Sequence, residues 1–121
     1  MKEFEIPINM IDIARIKAKD MGALRNSLLK GGGNIAGFLG EQIALEYLNG
    51  EWTNTYDYDI ILQNGMKVDV KTKQTTVTPL PHYACSVAKL NTKQKCDAYA
   101  FVRVTKDFTK GWYLGIITKD F

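Results

Sequence analysis

The chain has 121 residues, 45% hydrophobic and 11% aromatic, which is ordinary usage for one globular domain with a sizeable core. No apolar run is long enough to span a bilayer, and no basic flank leads into an apolar signal core, so the sequence predicts a soluble cytoplasmic protein without a membrane partner. A net charge of +3 leans towards a polyanionic partner but is too small to establish one. Two cysteines, Cys85 and Cys96, have neither metal-ligand spacing nor the density of a disulfide scaffold, and are read as reduced and structural.

The periodicity predicts a first helix over residues 9–30, with Ile13, Ile16, Leu24 and Leu28 as its apolar stripe. Arg15, Lys17, Lys19, Arg25 and Lys30 give it basic surface, suited to a phosphate backbone or simply to water. Gly31-Gly32-Gly33 reads as a joint, because a nucleotide-phosphate loop needs a strand before it and a lysine after it. Asn34 is a good N-cap for a second helix over residues 35–49, which Gly50 closes. Phe38, Ala44, Leu45 and Leu48 share one side of that helix, and Glu41 falls among them, while Gln42 and Glu46 lie on a separate polar stripe. A carboxylate on a packing face must be protonated, paired with a cation or bound to a metal, unless it reaches water at the rim. Gly37 and Gly40 fit a close approach of this helix to a sheet.

Residues 51–55 suggest a strand leading into the run Tyr56 to Leu62, which pairs through Asn64-Gly65 with Met66 to Lys73. On the second run Val68 and Val70 alternate with Lys67, Asp69, Lys71 and Lys73, so the charged residues share one face. A two-residue turn places Asp69 opposite Ile60. A three-residue loop of Gln63, Asn64 and Gly65 places it opposite Asp59, and suits the sequence because Gly65 supplies the left-handed residue that such a loop needs. Two carboxylates facing each other repel, and a divalent cation with oxygen ligands would explain them; scattered charges on a solvated sheet face are the alternative.

Residues 74–81 form a polar loop stopped by Pro79 and Pro81, and His82, the single histidine, receives no role. Residues 82–88 suggest a short strand and 91–96 a short helix. Ala98 to Val104 is almost continuously apolar, as in a strand buried on both faces, and Trp112 to Thr118 reads as the last strand. This order predicts an α/β (α+β) fold, one central mixed sheet with helices packed against it.

An acid in a helix, then Asp59, then Asp69-Val70-Lys71 resembles the PD-(D/E)XK nuclease superfamily. Within residues 34–118, GFLGEQIALEYL is similar to the helix bearing the first acid, YDYDI to the strand bearing the aspartate, and VDVKTK to the strand bearing the acid-X-lysine signature. CDAYAFVRV followed by GWYLGII also resembles small bacteriophage-encoded nucleases, whereas Tyr58 stands where the superfamily's name expects proline.

The resemblance implies a restriction-endonuclease-like core in αβββαβ order over residues 34–121, preceded by an extra N-terminal helix and glycine joint over 1–33. It implies a metal-dependent deoxyribonuclease in which Glu41, Asp59, Asp69 and the Val70 carbonyl hold Mg2+, with Mn2+ able to substitute, and Lys71 assists. Lys73, Arg15 and Lys19 are the expected DNA contacts. A core this small offers limited DNA-binding surface, so a homo-oligomer, dimer or tetramer, is expected. A non-catalytic nucleic-acid-binding protein that keeps the fold, and an assembly protein with merely superficial charges, are the competing readings.

Overall fold

A computed structural model describes residues 2–20, 32–53, 58–76 and 96–118. The elements run β1 (Lys2–Glu5), α1 (Ile8–Asp20), α2 (Gly32–Tyr47), β2 (Gly50–Trp52), β3 (Ile60–Leu62), β4 (Lys67–Thr75), β5 (Ala98–Thr105) and β6 (Lys110–Thr118). The fold is mixed α/β. Among the described residues one six-stranded sheet, ordered β1-β6-β5-β4-β3-β2, is antiparallel except for the parallel pair β4 and β5.

β5 is buried on both faces along almost its whole length, which is why its sequence is continuously apolar rather than alternating. Its even-numbered residues Ala98, Ala100, Val102 and Val104 join Ile60 and Val68 under the helices, in a core completed by Leu39, Ile43 and Ala44 of α2. Its odd-numbered residues Tyr99 and Phe101 face the other way, with Cys96, Tyr58, Leu114 and Ile117. Asp69 and Lys71 are register partners of Tyr99 and Phe101, so the charged face of β4 belongs to this second, aromatic side.

α2 approaches the sheet closely at one point. A Cβ placed on Gly40 would run into the Thr72 side chain, so no side chain fits there unless Thr72 shifts, whereas one on Gly37 would meet nothing within 4 Å. The close approach expected of both glycines is thus made by Gly40 alone.

Other expectations are corrected. α1 buries Met10, Ala14 and Ala18, not Ile13 and Ile16, which are 41% and 60% exposed. The small Ala14 and Ala18, at i and i+4, let the backbone of α1 lie close to α2, and β-branched isoleucines at those positions would hold it away. α2 starts at Gly32, so Gly32 and Gly33 lie in its first turn rather than in a joint and Asn34 is not its cap. Gly50 begins β2 instead of closing the helix, because a Cβ there would meet the Ile61 carbonyl of β3 at 2.6 Å. Gln42 does not face water; it is buried, and its amide donates to the Met10 carbonyl of α1 at 2.9 Å. β1 was not anticipated, being a four-residue edge strand that gains its partners only from β6. Residues 21–31, 54–57 and 77–95, which include Leu24, Leu28, Cys85, His82 and the suggested short strand and helix, lie outside the described residues.

Candidate active site

The β3–β4 hairpin adopts the three-residue loop. Leu62 N–H donates to Met66 at 2.8 Å, Gly65 takes φ +88°, and Ile60 faces Val68, which sets Asp59 level with Asp69. Regular pairing stops at Ile60. Beyond it, the Asp59 carboxylate replaces a backbone carbonyl and accepts the Val70 N–H at 2.8 Å, while the Asp59 carbonyl turns to β2 and accepts the Thr53 N–H at 2.8 Å. The aspartate therefore stands in the fork where β3 leaves β4, fixed to both neighbouring strands.

Asp69, only 7% exposed, makes an ion pair with Lys71, whose Nζ lies 2.9 Å from Oδ2. The two residues are i and i+2 on one face, the geometry that strand alternation dictates. Lys71 also lies 5.7 Å from the centroid of the Tyr99 ring. Tyr99 is pushed up to about 12, first by burial, then by the Cys96 beside it and by the charge of Asp69.

Glu41 reaches the fork from α2 and is likewise 7% exposed. Its Oε1 accepts the indole N–H of Trp52 at 2.6 Å, and Trp52 is the register partner of Ile60, next to Asp59. Burial raises Glu41 to about 8, the charges of Asp59 and Asp69 push the same way, and the Trp52 hydrogen bond and Lys17 oppose them. Asp59 is raised to about 7, first by burial and then by the neighbouring Asp69 carboxyl group; the Val70 N–H and Lys71 partly offset this. Three carboxyl groups from α2, β3 and β4 thus repel one another in a poorly hydrated place.

Such oxygen donors suit a hard divalent cation. Among the described residues no three His, Cys, Asp or Glu side chains close around a single ion. Mg2+ does not need three, since it keeps several waters and binds through one or two carboxylates plus substrate phosphate. The Asp59 and Asp69 pair fits that role, with Glu41 within electrostatic reach.

The structure brings Glu41, Asp59, Asp69, Val70 and Lys71 to one place. Lys73 follows two residues along β4 and is exposed. Arg15 and Lys19 are exposed on α1, away from its packing stripe. The α1 lysine beside the acids is instead Lys17, with Nζ 3.9 Å from the centroid of the Trp52 ring. Sequence reasoning gave Lys17 only a place on the basic surface of α1 and gave Trp52 no role at the site, although Trp52 stands seven residues before Asp59 in the strand that must pair with it.

No protein-family model matches the chain, and no curated protein is similar to it in sequence.

Proposed function

We propose that the chain is a metal-dependent nuclease of the PD-(D/E)XK kind, hydrolysing phosphodiester bonds in DNA, with a restriction-endonuclease-like arrangement of its elements. The observation that carries this reading is Asp59 standing level with Asp69 at the β3–β4 fork, with Lys71 2.9 Å from Asp69 and Glu41 buried beside them. A structural salt bridge would need one acid and one base. Three acids sharing a buried place, two of them pushed up towards neutrality, store repulsion that a cation relieves.

Glu41, Asp59 and Asp69, with the Val70 carbonyl, would hold the cation. Mg2+ bound there, or Mn2+ in its stead, supplies a Lewis acid for the phosphate and lowers the pKa of its coordinated water. Asp59 is held in orientation by the Val70 N–H. Lys71 carries a fixed positive charge on the same face as Asp69, where it holds the attacking water and stabilises charge developing on the phosphate oxygens. Tyr99 and the aromatic cluster below it exclude bulk water from that face. Lys73, Arg15 and Lys19 are exposed cations for neighbouring phosphates. The acting form is a homo-oligomer, dimer or tetramer, because one copy offers little surface to a duplex.

The test is cleavage of end-labelled single-stranded, duplex and branched DNA, with Mg2+, Mn2+ or chelator, by the native protein and Asp69→Asn. Cutting that needs metal and is lost in the variant is the expected result. DNA binding without cutting in any metal refutes the nuclease and favours a non-catalytic binder.

A further inference from the structure

Trp52 makes a contact for which the proposed chemistry has no use. Its Nε1–H donates to Glu41 Oε1 at 2.6 Å, and the ring that carries this donor is gripped on two sides. Lys17 of α1 lies over it at 3.9 Å from the centroid, a cation–π distance, and Phe38 of α2 meets it edge-on with centroids 6.2 Å apart at 67°. Its own strand pairs it with Ile60, one residue from Asp59.

The choice of donor matters. A lysine or arginine bonded to Glu41 would both orient the carboxylate and cancel its charge. An indole N–H is a neutral donor and cannot accept, so it holds one oxygen of the Glu41 carboxyl group without adding a formal charge beside it. Groups bonded to metal-binding side chains commonly serve to orient them, and a neutral donor does so while leaving the carboxyl group able to ionise beside a cation.

We propose that Trp52 is a positioning residue for Glu41, its indole clamped by Lys17 and Phe38 so that the carboxylate is presented to the β3–β4 fork in one orientation. This rests on the reading of Glu41 as part of a metal site. It ties α1 to the chemistry, since Lys17 covers the ring and its charge also acts on Glu41.

Two measurements test it on the full chain. The first records the indole N–H resonances of 15N-labelled protein, with the two tryptophans told apart by Trp112→Phe. The Trp52 signal is expected downfield and moved by Glu41→Gln; a Trp52 signal indifferent to that change removes the contact and overturns the proposal. The second measures Mn2+ affinity by electron paramagnetic resonance on folded native protein, Trp52→Phe and Asp69→Asn. Phenylalanine keeps a ring for Lys17 and Phe38 and loses only the donor, and the expected result is an affinity about 10- to 100-fold weaker. Native Mn2+ affinity and cleavage in Trp52→Phe, with both lost in Asp69→Asn, leaves the nuclease standing and refutes the positioning role. Absence of Mn2+ binding in the native protein refutes the metal site and the positioning role together.

Discussion

Glu41→Gln replaces a buried ionisable group by a neutral one and leaves the shape of the side chain and an oxygen for the Trp52 N–H. Glu41 is held at about 8 in the folded protein against an ordinary 4.5, and an unfolded chain restores the ordinary value. Between those values the folded state binds the proton that the unfolded state releases, so stability falls as pH rises through the window and no penalty exists below it. At roughly 1.4 kcal/mol per tenfold change in ionisation the gap corresponds to about 5 kcal/mol. Part of it reflects the neighbouring Asp59, which titrates together with Glu41, so about 2–5 kcal/mol is the range to expect from the single substitution. For a domain of this size, at about 4 °C per kcal/mol, Glu41→Gln then melts about 8–20 °C above the native protein near pH 9 and within about 2 °C of it near pH 4.5. The assay is thermal unfolding by circular dichroism in chelator across that range. A melting difference that does not grow with pH, or a variant that is less stable at the alkaline end, refutes the account of Glu41 as a buried, strained carboxylate.

Lys71→Met keeps the length of the side chain and the packing on Tyr99, and is expected to lower the cleavage rate about 10²- to 10³-fold at saturating metal while melting within about 1 kcal/mol of the native protein. Single-turnover kinetics check this, and a near-native rate would remove Lys71 from the chemistry. Gly40→Ala drives a methyl group into Thr72 and is expected to destabilise by about 1–3 kcal/mol or more, with partial rescue by Thr72→Ala, which removes the nearest atom; urea unfolding of the single and double variants measures it. Gly65→Ala forces a side chain into φ +88° and is expected to lose about 1–2 kcal/mol without altering metal affinity, since only the loop carries the strain.

What could be read from the sequence followed from short-range rules. The hairpin register came from the three-residue loop of Gln63, Asn64 and Gly65, and the structure adopts it, setting Asp59 level with Asp69. β5 announced itself because a strand buried on both faces has no polar alternation to obscure it. The burial of Glu41 followed from helical periodicity. Failures came where long-range packing decides. The stripe of α1 was misjudged because isoleucines outscore alanines in hydrophobicity, whereas a helix lying close on another helix selects small residues. Gln42 reads as polar and exposed until Met10 of α1 supplies its partner. Trp52 and Lys17 lie eleven residues after Glu41 and twenty-four before it, and only the meeting of α1, α2 and β2 makes them neighbours.

The central claim is that Asp59 and Asp69 hold a divalent cation in the β3–β4 fork. Crystals soaked in Mn2+, with anomalous difference density recorded at a wavelength sensitive to manganese, address it most directly. The account predicts one peak or two between the Asp59 and Asp69 carboxylates, near the Val70 carbonyl, with Glu41 joined directly or through water. A fork that stays free of density at saturating Mn2+, with Lys71 still paired to Asp69, would contradict it.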